Sequence, residues 1–578
     1  MQFKALLILF LISCSTTQAQ KSYAKTEFGL KAEVDSLVIE LQFYSSKNVR
    51  VLKSKKGFDF DKNSLSVIAK PQNTNFKISE SEVSTVVLSS DDLRVSLDLV
   101  SGAISFQDLQ ENLLLKEKIE GSHLDPKMDV NEPSFRVKQE FQLDKDEFIY
   151  GLGQFQEGKM SQRNQQLFMR QDNKETVVPI IQSTKGYGVF WDNYAPTTFF
   201  DDPTVTSFDS EVGELIDYYF MYGENADGVV KQIRMLTGNA PMMPYWTFGY
   251  WQSKERYESQ EETEGVVQKY RDLGVPIDGI IQDWQYWGDN YHWNGMTFGN
   301  PTFPNPEKLT KAIHDLNAHI IISVWASFGP ETAPFKILKD RNMLLDFTTY
   351  PQRAVNYWPA KPDDPLAGVK VYDAYNPEAR DIYWEHLNEG IFSKGIDGWW
   401  LDSTEPDHLD IKDKDFDTQT HLGSFRKVRN AFPLMTVGGV YEHQRATTSD
   451  KRVFILTRSA FAGQQRYAAN SWSGDVVSNW KTLEKQISAG LNFVSTGIPY
   501  WNSDIGGFFA WEYPGGIKNP SFQELYVRWL QYGAFTPMMR SHGTTTPREI
   551  YKLGKRGDWN FDAVEKFINL RYRLLPYI

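Results

Sequence analysis

Eight times between residues 248 and 542, a short apolar run closes on a polar or ionisable residue: FGYWQS, IDGIIQDW, HIIISVWAS, IDGWWLDS, VFILTRS, ANSWSGD, IPYWNSD and PMMRSHG. Helical patterns separate most of them, among them PEKLTKAIHDLN, PEARDIYWEHLNEGIFSK and QELYVRWLQYG. Parallel strands need long crossover connections, usually helices, so this alternation predicts a (β/α)8 TIM barrel. Such a barrel carries its chemistry at the C-terminal ends of the strands. Those ends fall at Ser253, Asp283, Trp325, Asp402, Arg458, Asp475, Asp504 and Arg540 with His542. A barrel built for stability alone needs neither carboxylates nor arginines there.

Upstream, residues 25–235 read differently. Runs such as SLVIELQFY, STVVLSS, LRVSLDLVSGAISFQD and GYGVFWDNY are divided by turn signals, and no long amphipathic helix is expected among them. The pattern predicts an antiparallel β-sandwich, with Gly151-Leu152-Gly153-Gln154 and the following FQEG expected as a loop reaching a neighbouring site. GNAPMMP, residues 238–244, has the composition of a domain boundary. The expected organisation is multidomain: a signal at 1–20, a sandwich at 21–237 and the catalytic barrel at 238–578, ending in its last helix. Neither a fixed-period repeat nor a low-complexity segment interrupts it.

Residues 1–4 (Met-Gln-Phe-Lys) precede the apolar run ALLILFLIS, which is too short to span a bilayer and reads as an export signal. Leu11-Ile12-Ser13-Cys14 resembles the bacterial lipobox, so a lipidated Cys14 would tether the mature chain to a membrane. Cleavage near Ala19 is the alternative. Either way the expectation is an exported protein, periplasmic or outer-membrane-associated in a bacterium. Cys14 is also the single cysteine, which leaves no intramolecular disulfide, Cys-based zinc site or iron–sulfur cluster. Lys plus Arg number 62 against 74 Asp plus Glu, a net charge of −12 that disfavours nucleic acid as a partner. Aromatic residues make up 14% of the chain; their flat faces suit the C–H faces of sugar rings, although large cores consume them too.

Asp402 and Asp475 lie at strand ends two positions apart around the expected barrel. Two carboxylates about 5–5.5 Å apart can cleave a glycosidic bond, one attacking the anomeric carbon and the other protonating the leaving oxygen. The alternative for Asp402 is a purely structural ion pair with Arg458. Other chemistries find less support. Nine histidines include no HExxH pattern and form no recognisable metal cluster, so no metal is expected. GxGxxG and GxxxxGK[ST] loops are missing, and Ser459 and Ser473 lack a GxSxG setting. The economical reading is a hydrolase without a cofactor.

IIQDWQYWG, GWWLDSTEPD, VFILTRSAFAGQQRY, WSGD, PYWNSDIGGF and MMRSHG, in this order and spacing, resemble glycoside hydrolase family 31, with forms closest to its α-xylosidase branch. The resemblance implies Asp402 as nucleophile and Asp475 as acid/base. It implies Asp283 and His542 as contacts to sugar hydroxyls, and Arg458 as the cation that keeps Asp402 ionised. Trp325, Trp400, Trp472 and Phe508 would wall the pocket, and Asp504 would add a polar contact. Only one of Trp399 and Trp400 should meet the sugar, because consecutive strand residues face opposite sides.

Three features depart from the pattern. Trp400 stands where some bacterial xylosidases of the family have Lys. Nothing between Ser183 and Tyr222 is long enough for the sugar-binding module inserted in larger relatives. The chain also stops at RYRLLPYI, inside the expected last helix, where the family continues into C-terminal β domains. The implied activity is that of a retaining, exo-acting α-glycosidase that takes non-reducing-end α-xylosyl residues from an oligosaccharide. α-Glucosidase, α-glucosyltransferase and α-galactosidase share the catalytic pair, and a non-catalytic glycan-binding lipoprotein is the rival of another class.

Overall fold

The computed structural model describes residues 22–58, 62–82, 84–355 and 360–578. The export signal and Cys14 lie outside the described residues. The N-terminal part is two antiparallel sheets packed face to face. One has eight strands, centred on Asn48–Lys55, Ile216–Tyr222 and Tyr187–Trp191; the other has nine, centred on the long pair Leu113–Asp129 and Glu132–Gln142. Alternating side chains of both sheets fill the space between them, as in Phe106 stacked on Phe220 with ring centroids 3.9 Å apart. An ion pair is sealed inside this core: Lys53 Nζ lies 2.5 Å from Glu117 Oε2, and both side chains are fully buried. Lys53 also donates to Ser122 Oγ and the Gly102 carbonyl, while Glu117 accepts from the Ile104 N–H and the Tyr218 hydroxyl.

A helix, Ala226–Thr237, follows the last sandwich strand, inside the region where the sequence suggested only strands. Asn225 caps it by accepting from the Gly228 N–H, and Val229, Ile233 and Leu236 bury one face against the sandwich. The three repeat at helical spacing, but the β-branched Val229, Val230 and Ile233 equally suit a strand.

The barrel strands, first to eighth, are Tyr250–Gln252, Gly279–Gln282, His319–Trp325, Gly398–Asp402, Ile455–Thr457, Ala469–Trp472, Trp501–Asn502 and Met539–Ser541. They are parallel and ordered as in the sequence. The eighth pairs with the first through Tyr250 and Met539, and an isolated bridge between Ile505 and Ser541 closes the ring. The interior is filled by Trp251, Ile281, Ile321, Trp400, Phe454, Leu456 and Trp472. Trp399 points outward to the helices, donating from Nε1 to Gln444 Oε1 at 2.8 Å, so strand parity divides the two tryptophans as expected.

The fifth repeat departs from the eightfold scheme. Between the fifth and sixth strands there is only a 3-10 turn, Gln464–Tyr467. Gln465 donates to Thr237 Oγ1 and the Gly238 carbonyl, and Arg466 to the Ser66 and Thr237 carbonyls. The sandwich and its helix thus cover the flank that a barrel helix would otherwise occupy.

Gly151–Gln154 is also not a free loop. It lies within strand Ile149–Gln154, paired with Thr176–Ser183. Its Gln154 accepts from Trp501 Nε1 of the seventh barrel strand at 2.7 Å and donates to the Lys174 carbonyl at 3.0 Å. This strand supports a neighbouring turn, and that turn is what reaches the barrel mouth.

Candidate active site

The fourth strand ends on Asp402, and the chain then turns sharply, with Ser403 in the left-handed region at φ 56°. This turn directs the Ser403 N–H at Asp402 Oδ1, 2.7 Å away, and brings Glu405 and Asp407 round to the same side. The fifth strand delivers Arg458 into their midst. Its Nη1 lies 3.4 Å from Asp402 Oδ1 and 3.2 Å from Asp475 Oδ2. Nε donates to Glu405 Oε1 at 2.9 Å, and Nη2 contacts Glu405 and, at 3.0 Å, Asp407 Oδ2. One guanidinium, 3% exposed, therefore serves four carboxylates. Asp402 and Asp475 touch the same nitrogen, so their oxygens are at most about 6.6 Å apart, the sum of the two contacts. Any bend at the nitrogen brings them closer, toward the roughly 5–5.5 Å of a retaining pair and away from the roughly 6.5–9.5 Å that an inverting pair leaves for water.

Arg458 pulls Asp402 toward its ionised form, the direction expected, but it is not the strongest influence on that carboxyl. Burial is the strongest influence and pushes the Asp402 carboxyl up to about 7; Arg458 opposes it, while Asp475 and Glu405 add to it. Burial likewise raises Asp407 to about 6 against the pull of Arg458. At both Asp402 and Asp407, then, Arg458 pulls against a burial effect that is the larger of the two.

Asp475 is held from the other domain. Asn173, in the turn between sandwich strands Gln166–Met169 and Thr176–Ser183, donates from Nδ2 to Asp475 Oδ2 at 2.7 Å. Its Oδ1 accepts the Asp475 N–H at 3.0 Å. Gly474 makes this approach possible. It sits at φ 77°, and a Cβ there would lie 2.6 Å from both Asn173 Oδ1 and the Lys174 nitrogen.

The remaining expected residues gather around the same mouth. Asp283, after the second strand, is 1% exposed; burial raises its carboxyl well above the usual range, with Glu255 and Asp402 adding to the effect. Trp325 ends the third strand and stacks on Tyr350, with centroids 5.7 Å apart. Trp400 meets Trp472 and His542 edge to face, at 5.6 and 5.0 Å. Phe508 stacks on His542 at 5.4 Å. His542 Nδ1 lies 2.7 Å from Ser253 Oγ, and burial, with Arg540 and Arg548 nearby, holds its pKa well below the ordinary value. Asp504 pairs with Arg540, whose guanidinium carbon lies 5.0 Å from the Trp400 ring centroid and 5.3 Å from that of Trp472.

Several buried polar atoms here lack a protein hydrogen-bond partner: the indole nitrogens of Trp325, Trp400 and Trp472, Asp504 Oδ2, and Arg540 Nε and Nη1. Buried polar groups are ordinarily satisfied, so donors and acceptors left together at strand ends mark a surface shaped for a polar ligand.

Residues 240–578 match the model for the glycosyl hydrolases family 31 TIM-barrel domain, and residues 38–199 that for the glycosyl hydrolase 31 N-terminal galactose mutarotase-like domain. The chain belongs to glycoside hydrolase family 31. Within family 31 it is 37% identical over 557 residues to an α-xylosidase of Saccharolobus solfataricus, covering 94% of this chain and 71% of that one. It is 28% identical to α-xylosidase A of Aspergillus niger, covering 77% of this chain and 63% of the relative. Among solved structures, the family 31 α-xylosidase of Xanthomonas citri superposes with a TM-score of 0.88 at 28% identity, over 96% of this chain and 77% of that one.

Sequence reasoning missed three residues of this family 31 site. Glu405 and Asp407 stand in the GWWLDSTEPD string, yet nothing in its pattern separates them from surface acids. Asn173 lies 302 positions from Asp475, and only the glycine before Asp475 hints that something approaches there.

Proposed function

We propose that this protein is a retaining, exo-acting α-glycosidase that removes α-xylosyl residues from the non-reducing ends of oligosaccharides. The observation that carries the reading is the shared contact of Asp402 and Asp475 with Arg458 Nη1 at the barrel mouth. Asp402 attacks C1 of the terminal sugar. The C1–O bond to the leaving group breaks as a C1–Oδ bond to Asp402 forms, and Asp475 gives its proton to the departing oxygen. Water then attacks C1 from the vacated side, Asp475 takes a proton from it, and the bond to Asp402 breaks, so that the anomeric configuration is retained. Asp283 and His542 are suited to hold ring hydroxyls, and Trp325, Trp400, Trp472 and Phe508 to enclose a single ring. The similarity to α-xylosidases supports xylose as that ring.

The test compares kcat/KM on matched aryl α-xyloside and α-glucoside and follows the first-formed anomer by proton NMR. A retained anomer and a higher value for the xyloside are expected. An inverted anomer overturns the chemistry, whereas a higher value for the glucoside overturns the sugar preference alone. We further propose that the first 20 residues direct export and that Cys14 carries a lipid. A mature N-terminus found by mass spectrometry downstream of Cys14 would refute the tether.

A further inference from the structure

The opposite end of the barrel carries a second cluster that this hydrolytic reading does not use. His319 opens the third strand, Asp397 immediately precedes the fourth, and His314 lies on the helix Pro306–Asp315. Asp397 Oδ2 lies 2.8 Å from His314 Nε2 and 3.5 Å from His319 Nδ1. It also accepts the Ile320 N–H at 3.0 Å, which fixes the carboxylate in place. His319 Nδ1 is buried without a hydrogen-bond partner. Its ring is held by stacking on Trp246, with centroids 4.4 Å apart and planes 16° from parallel.

From these contacts we infer a binding site for one borderline transition-metal dication, of the Zn2+ class, formed by His314, His319 and Asp397. The donor set is two imidazoles and one carboxylate, which such ions prefer, whereas Mg2+ and Ca2+ favour all-oxygen cages. Metal–ligand bonds of about 2.0–2.1 Å at a tetrahedral centre set donor atoms roughly 3.3 Å apart. The two contacts to Asp397 bracket that spacing, and all three donors lie within 4.8 Å of one another. His314, its side chain 37% exposed, opens the cluster to solvent, while the His319 Nδ1 donor sits buried behind it; an ion would enter past His314, leaving room for a water ligand on that side. Lys451 approaches the other carboxylate oxygen, Oδ1, at 3.9 Å, but its side chain is 53% exposed and free to swing away.

The donors come from a helix and two adjacent barrel strands, so a bound ion would cross-link the floor of the barrel. The fourth strand separates this cluster from Asp402 by five residues, roughly 16 Å, and the inference stands or falls independently of the hydrolytic reading. His314, His319 and Asp397 form no contiguous sequence motif, which is why the sequence suggested no metal site.

The experiment titrates untagged, chelator-stripped full-length protein with Co2+ and Zn2+, following the visible absorption of the Co2+ adduct and the calorimetric stoichiometry. One equivalent is expected, with an intense band indicating low coordination number and a rise in melting temperature with Zn2+. His314→Gln, on an outer helix face where folding is safe, and Asp397→Asn should each weaken binding at least tenfold and abolish the thermal shift. Failure to saturate at one equivalent, or equal binding by wild type and His314→Gln, would overturn the site.

Discussion

Replacing Glu405 by Gln isolates the charge balance around the proposed nucleophile. Glu405 is 1% exposed; Oε1 accepts from Arg458 and Oε2 from Ser459 Oγ at 3.2 Å. Gln can keep both arrangements, its carbonyl facing Arg458 and its amide donating to Ser459, while one negative charge disappears. Glu405 and Asp402 contact the same guanidinium, and a separation on the order of 6–8 Å serves for a Coulomb estimate. With an effective dielectric constant of about 20, their repulsion is about 2–3 kcal/mol, or about 1.5–2 pKa units. Glu405 raises the Asp402 pKa, so removing its charge lowers that pKa, and Asp402 stays ionised to lower pH.

The assay is kcat/KM against pH on an aryl α-xyloside. The acidic limb reports the free enzyme's nucleophile and is expected near pH 7 in the wild type. In Glu405→Gln it should move down by one to two units. A limb that moves up would mean Glu405 acts by holding Arg458 in place, and an unmoved limb would remove Asp402 as the group being titrated.

Asn173→Ala takes away two hydrogen bonds that clamp Asp475, one to its side chain and one from its backbone, a loss of about 1–3 kcal/mol. On α-xylosides with poor leaving groups, kcat/KM should fall about tenfold to a hundredfold while dinitrophenyl substrates are nearly spared; equal losses on both would show that Asn173 does not position the acid. In the sandwich, Lys53→Met strands Glu117 in the core and should cost about 3–5 kcal/mol in urea unfolding. Adding Glu117→Gln should recover much of that, and a double variant as unstable as the single would refute the pairing argument.

The barrel was legible because its second to fifth strands, buried on both faces, read as largely apolar runs that close on a residue at the mouth. Parity within Trp399-Trp400 followed from the same geometry. The 3-10 turn replacing the fifth helix was not legible, since its cause is the sandwich packed on that flank, a contact without local trace in AFAGQQRYAAN. Asp402 and Asp475 stood out by position, but the division of Arg458 among four acids depends on a turn at Ser403 that no residue pattern announces. The helix Ala226–Thr237 is only 12 residues long, and its β-branched Val229, Val230 and Ile233 fit a strand as readily as a helix, so it reads like the strands before it.

The contact of Asn173 with Asp475 across Gly474 means that one of the two carboxylates proposed for catalysis is positioned by the other domain. On the proposed reading, a barrel without its sandwich would still present Asp402 but leave Asp475 unclamped, and cleavage of poor leaving groups would suffer first. Docking of the sandwich would then be what arms the proposed acid. Loosening the interface far from the mouth, for instance where Gly151 N–H meets Asn492 Oδ1 at 2.8 Å, should disarm the enzyme before it unfolds either domain.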